Sequence, residues 1–225
     1  MDYTQKRQEM VRIIEEEDVY TSTYTGKGSI DKQILKVMAE IPRHEFVPKL
    51  MRFFAYDNGP VHIGNGQTIS QPYIVALMTD LISPQPDHKI LDIGTGSGYQ
   101  AAILSRLVRQ VYSVEIVESL AIEAIARLQG LKYENIEIKV GDGALGWEEH
   151  CPYDGIIVAA ATPTIPSNLI EQLKPGGKLV LPLGISTKVQ ELVVIEKKEN
   201  GEGELRHILP VVFVPLISKY EDIVD

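Results

Sequence analysis

Apolar positions change their rhythm once along the chain, near residue 86. Before it, helical periods alternate with loops: a helix is expected over residues 4 to 17, another over 30 to 40, and a third from Pro72 through Ile82, with Pro72 at its first position. Nothing in this stretch reads as a sheet. Beyond it, short β-branched runs alternate with helical ones: "HKILDI", "YQAAILSRLV", "QVYSVE", "ESLAIEAIARLQ", "IEIKV", "DGIIVAA", "IPSNLIEQL" and "GKLVLPLG". That alternation predicts βαβ units and a mostly parallel, doubly wound α/β sheet. The ending differs: "VQELVVIEK" and "ELRHILPVVFVPL" flank "KENGEG", whose Asn200-Gly201 is a hairpin signal, so an antiparallel pair should close the sheet. We expect one domain over 1–225, with a helical portion at 1–86 covering the cleft of a core at 87–225.

Composition narrows the class without changing this picture. With 225 residues, 44% apolar and 24% charged, the chain fits one folded domain with a full core. Charged residues throughout the first twenty positions exclude the apolar core of a signal peptide, and no run is long enough to span a bilayer. The single cysteine, Cys151, has no partner for an internal disulfide and no metal-ligand spacing, so a cytoplasmic setting and no metal site are expected. A net charge of −9 argues against general nucleic-acid binding. The acidic run at residues 15 to 18 reads as a solvated face.

Candidate chemistry concentrates in "LDIGTGSGYQAAILS". A strand ends at Ile93, glycines follow at 94, 96 and 98, and a helix opens near Tyr99, so backbone can approach a ligand at a helix N-terminus. The spacing is G-x-G-x-G, with Asp92 two residues ahead, whereas a dinucleotide fingerprint has G-x-G-x-x-G. It resembles the loop of S-adenosylmethionine-dependent methyltransferases. The next strand ends in Glu115, placed to accept hydrogen bonds from ribose hydroxyls; the third ends in "VGDG", which places Asp142 and Gly143 at the same sheet edge, with Asp142 suited to an adenine amino group. Taken singly, each has a plainer reading, as a tight turn, a solvated strand end or a turn aspartate.

Longer blocks make the resemblance specific. "PRHEFVP" (42 to 48), "IGNGQTISQP" (63 to 72), "LDIGTGSGYQAA" (91 to 102), "GDGALGWEEHCPYDGIIV" (141 to 158), "LKPGGKLVLPLG" (173 to 184) and "FVPL" (213 to 216) resemble the protein-L-isoaspartate O-methyltransferase family along nearly the whole chain. The resemblance implies methyl transfer from S-adenosyl-L-methionine, leaving S-adenosyl-L-homocysteine, to the α-carboxylate of L-isoaspartyl and more weakly D-aspartyl residues in damaged proteins. The ester then closes to a succinimide, and hydrolysis returns some normal aspartate.

It also implies site residues. Ser70 takes the catalytic position; Ile69, Ser70, Phe213 and Val214 line the peptide site; Gln67, Thr68, Asp92, Gly94, Thr95, Gly96, Ser97, Gly98, Glu115, Asp142 and Gly143 face the cofactor. Asp92 stands where the family more usually has Glu, and is expected to reach the methionine amino group or loop amides. Val212 stands where it usually has Arg. A structural reading competes at Ser70, since Ser70 or Gln71 before Pro72 would cap a helix well. Pro42, Arg43, His44 and Phe46 read as a structural corner. The partners implied are isoaspartyl proteins and peptides, without nucleic acid or membrane, and a monomer is expected. Two alternatives stand beside this reading: a methyltransferase for another acceptor, such as a small carboxylic acid or RNA, and a cofactor-binding protein without catalysis. The acidic balance and "AAATPTIP" after the fourth strand argue against an RNA enzyme; the intact "TISQP" argues against lost catalysis.

Overall fold

The computed structural model describes residues 2–26, 28–185 and 187–218. Helix α1 (Tyr3–Thr25) starts on Asp2, whose carboxylate accepts the Thr4 N–H at 2.9 Å, and stops at Gly26 with φ 64°. It runs well past the expected end at residue 17. Tertiary contacts outweigh the poor propensity of its "YTSTYT" tail: Thr21 shares a short hydroxyl contact with Tyr73, and the buried Asp18 accepts the Ile30 N–H at 2.8 Å. Asp18 and the half-buried Glu17 therefore correct the solvated-face reading of the 15 to 18 run. Helix α2 (Lys32–Glu40) is capped by Asp31, which accepts the Gln33 N–H at 2.7 Å. All ten residues of α3 (Pro72–Leu81) are buried.

A second correction concerns the segment before α3. β1 (Val61–Gly64) and β2 (Gln67–Ile69) form a two-stranded antiparallel sheet apart from the main one, with Val61 opposite Ile69 and His62 opposite Thr68. Asn65 and Gly66 turn the hairpin with φ of 51° and 72°, the left-handed pair that suits such a turn. Val61 and Ile63 face inward while His62 and Gly64 face out.

The main sheet has seven strands: β3 (Lys89–Ile93), β4 (Gln110–Glu115), β5 (Ile136–Val140), β6 (Tyr153–Val158), β7 (Leu173–Leu183), β8 (Gln190–Lys197) and β9 (Gly203–Val211). Their order is β5-β4-β3-β6-β7-β8-β9. β5 through β7 are parallel; β8 runs antiparallel to β7, and β9 to β8. Connecting helices are α4 (Tyr99–Ser105), α5 (Glu118–Gly130) and α6 (Ser167–Glu171). From β3 the chain passes first to one side and later, through β6, to the other, so a crevice opens where the order reverses.

Alternate strand residues feed two cores. Ile90, Ile157 and Val180 face the helical 1–86 portion, joining Met10, Ile34 and Leu77 in one cluster; Leu91, Ile156 and Leu179 face the other side with Leu169 and Leu216. Among the described residues, no helix is long and apolar enough to cross a membrane.

Candidate active site

The crevice is floored by the turn from β3 into α4. Gly98 closes it with φ 85°, and a Cβ there would stand 3.1 Å from Leu128 Cδ1 on α5, so a side chain would be strained by conformation and crowded by its neighbour. Glu115, buried at the end of β4, fixes the loop from below: one carboxylate oxygen accepts the Gly96 N–H at 2.7 Å and the other the Val117 N–H at 2.9 Å. Each oxygen keeps a further lone pair for a ligand hydroxyl.

Asp92 lies deeper. It is fully buried within β3 and does not line the cleft; Ser113 donates to its Oδ2 at 2.8 Å, and the Ser113 and Thr95 hydroxyls lie 2.6 Å apart. Its contact to the loop is thus this hydroxyl relay. Its other oxygen has no partner among the described residues, and burial, with a smaller push from Glu115, raises its pKa from 3.8 to about 7. Asp142, just outside the lining, accepts the Ala144 N–H at 2.9 Å and the Ser218 hydroxyl at 2.7 Å. Its neighbour Gly143 does line the cleft, and a Cβ there would fall 2.3 Å from Ile93 Cγ2.

The opposite wall is β2 and the loop into α3. Gln71 and not Ser70 is the N-cap residue, and its side chain makes no capping bond. Gln71 Nε2 instead donates to Glu17 at 3.1 Å, and Asn58 donates to the same carboxylate in a short contact, so α1 is tied to this loop. The Ser70 carbonyl accepts from Arg43 at 2.7 Å, while its hydroxyl makes no hydrogen bond to any described residue.

Two cavities meet at this wall. The inner cleft is lined by Gln67 to Ser70, Gly94 to Ser97, Glu115, Gly143 and Val214, and Gly98 sits behind it. The outer groove runs between α1 (Glu17, Thr21, Tyr24) and the segment Leu209 to Val214, Phe213 included. Four residues, Thr68, Ser70, Ala159 and Val214, line both. Val214 is held by its carbonyl, which accepts the Ala161 N–H at 2.8 Å, and Phe213 donates its N–H to Gln190 Oε1 at 2.8 Å.

Sequence reasoning missed Tyr99, Gln100 and Val117 in the cleft and Glu17, Thr21 and Tyr24 in the groove. Tyr99 follows the glycine loop directly, which was a usable signal; the α1 residues carry none, since only the fold brings them there. The histidines stay away from the cleft. His44 stacks on Tyr3 at 3.6 Å between ring centroids, its Nδ1 lies 2.7 Å from the Tyr56 hydroxyl, and burial lowers its pKa. His62 is exposed on β1. No cluster of three or more metal-ligating side chains occurs among the described residues.

Residues 15–221 match the sequence model of the family described as Protein-L-isoaspartate(D-aspartate) O-methyltransferase (PCMT). The chain is 55% identical over 213 residues to protein-L-isoaspartate O-methyltransferase 2 of Nitrosococcus oceani, covering 95% of this chain and 97% of that protein. It is 53% identical over 214 residues to the protein of the same name from Syntrophobacter fumaroxidans, covering 95% and 87%. Among solved structures, a protein-L-isoaspartate O-methyltransferase superposes with a TM-score of 0.78 at 26% identity, covering 93% of this chain; this chain spans 65% of that one. A Plasmodium falciparum beta-aspartate methyltransferase (PCMT) structure, in complex with S-adenosyl-L-homocysteine, shares the fold at a TM-score of 0.77 and 22% identity, over 94% of this chain and 98% of that one.

Proposed function

Since the chain belongs to the protein-L-isoaspartate(D-aspartate) O-methyltransferase family, we propose that it is a repair enzyme that methylates the α-carboxylate of L-isoaspartyl, and more weakly D-aspartyl, residues in damaged proteins, the ester then closing to a succinimide that returns some normal aspartate. S-adenosylmethionine supplies an electrophilic methyl group. The donor set suits it: a loop stripped of side chains at Gly94 and Gly96, and the Glu115 carboxylate with lone pairs to spare. Asp142, just behind Gly143, supports the adenine end. Asp92 serves by holding Thr95 through Ser113.

One observation carries the reading: the inner cleft and the outer groove share a wall at Thr68, Ser70, Ala159 and Val214, and the Ser70 hydroxyl there has no described protein partner. A carboxylate, derived from an acid of reference pKa about 4, is already ionised at neutral pH, so no base is required. What it needs is alignment and loss of water. Holding two reactants in line lowers a barrier by roughly 7–11 kcal/mol in the best cases. The Ser70 hydroxyl is a neutral donor that fixes a carboxylate without quenching it. Phe213 in the outer groove and Val214 on the shared wall support the peptide, with Ile69, buried in β2 and lining the inner cleft, behind them.

The core cluster that joins Met10 and Ile34 to Ile90 and Val180 supports one methyltransferase unit, with 1–86 as its cover. The net charge of −9 and the lone Cys151 support a monomeric enzyme without nucleic-acid partners, in a cytoplasmic setting. The deciding experiment is labelled methyl transfer to an isoaspartyl peptide beside its normal aspartyl twin. Transfer to the isoaspartyl peptide alone is expected; comparable labelling of both overturns the repair assignment.

A further inference from the structure

The corner motif "PRHEFVP" contains a charge that the reaction scheme above does not use. Arg43 is fully buried, and among the described residues it forms no ion pair. Its Nε donates to the Ala55 carbonyl at 2.7 Å, and one terminal nitrogen donates to the Ser70 carbonyl at 2.7 Å. The guanidinium carbon stands 4.7 Å above the Tyr99 ring, and the other terminal nitrogen has no described partner. A buried cation held only by neutral groups is a poor device for stability, since apolar side chains of similar volume usually serve as well or better. Its three contacts identify what it holds: Ser70 on the acceptor wall, Tyr99 at the start of α4 behind the glycine loop, and the turn at Ala55.

We propose that Arg43 is a positioning residue for methyl transfer, setting the distance and orientation of the Ser70 wall relative to the cofactor loop. The inference rests on the methyltransferase reading. A planar fork can hold carbonyls in two directions while its face lies on an aromatic ring; an ammonium cannot. Fixing the Ser70 carbonyl also fixes the plane of the Ser70–Gln71 peptide, and with it the departure of the Ser70 side chain and the Gln71 N–H, which points opposite to the carbonyl in a trans peptide. A small misplacement of aligned reactants is enough to cost about two decades in rate.

The test compares wild type with Arg43→Lys, which keeps the charge and loses the fork, and Arg43→Ala, assayed with and without millimolar ethylguanidinium. Folding is checked by thermal melts, cofactor-site integrity by calorimetry with S-adenosylhomocysteine, and kcat and KM on an isoaspartyl peptide. Each variant should lose about 10- to 100-fold in kcat, the loss expected for one hydrogen bond to a charged group. The S-adenosylhomocysteine Kd should stay within about threefold, and ethylguanidinium should restore part of the Arg43→Ala rate while leaving wild type unchanged. Wild-type kcat in a folded variant, a loss of kcat matched by an equal loss of cofactor affinity, or failure of both variants to fold would each overturn the proposal. A wild type inactive on the isoaspartyl peptide would remove the repair reading and this proposal together, whereas an active wild type with indifferent variants removes this proposal alone.

Discussion

Removing the Glu115 carboxylate should damage two things at once, and the structure says by how much. Its oxygens hold the Gly96 and Val117 N–H groups at 2.7 and 2.9 Å. A hydrogen bond to a charged group contributes about 1.5–3 kcal/mol, and the cleft lets water recover part of the loss, so Glu115→Ala should cost about 3 kcal/mol of stability. For a chain of this size that lowers the melting temperature by about 6–12 °C. Glu115→Gln keeps one acceptor oxygen but sets an NH2 group against the second amide, so it should lose about half as much. Ribose hydroxyls would bind the remaining lone pairs, so both variants should weaken S-adenosylhomocysteine by about one to two decades. Thermal melts without ligand and calorimetry with it separate the two effects. An unchanged melting temperature in Glu115→Ala would refute the amide pins, and unchanged affinity in a folded Glu115→Gln would remove the residue from the ribose site.

Ser70→Ala should lower kcat on an isoaspartyl peptide by about tenfold or more while cofactor affinity stays near wild type, because its hydroxyl supports no described part of the fold; full turnover in the variant defeats the positioning role. Burial raises the folded-state pKa of Asp92 from 3.8 to about 7, so the folded chain holds a proton there that the unfolded chain releases between those values. Its contribution is complete below the unfolded pKa and is lost as pH rises through about 7, on the order of a few kcal/mol. Asp92→Asn should therefore gain melting temperature relative to wild type between pH 5 and pH 8 without ligand, and a constant difference would contradict this. His44→Gln and His62→Gln should leave the limbs of the pH–turnover profile in place, since neither imidazole lines the cleft; a wild-type limb abolished by His62→Gln would transfer the role to that histidine.

The seven-stranded sheet was legible because each strand is long enough to show its period, as in "DGIIVAA", where Ile156 and Ile157 enter opposite cores. β1 and β2 were not. Four and three residues are too few to display alternation, and the Asn65-Gly66 turn signal sits among further small and polar residues that read as loop. The glycine loop and Glu115 were found because strand ends and spacing mark them. Asp92 carries the same mark but points at Ser113, a distinction that depends on which way one side chain turns inside the sheet. Arg43 could not be read as a tether, since its acceptors are the carbonyls of Ala55 and Ser70, and every residue carries a carbonyl. Glu17 meets Asn58 and Gln71 only after α1 has folded over the site.

The separation of the β1–β2 hairpin from the main sheet has a consequence for how this molecule opens. An isolated two-stranded ribbon is marginal in water, so this one persists through its attachments: Val61, Ile63 and Ile69 buried in the core, and the bonds of Arg43 and Glu17 to Ser70 and Gln71 just beyond it. Its local unfolding free energy is then set by those three buried side chains and the two tethers, not by ladder bonds to the seven strands beside it. Amides of residues 61–69 should exchange hydrogen through excursions far cheaper than global unfolding, while those of β3 and β6 wait for the whole domain. The wall between the inner cleft and the outer groove is thereby the part of the site whose backbone can shift without breaking a ladder of the main sheet, with Ile63 beside Gly96 as its contact to the cleft floor.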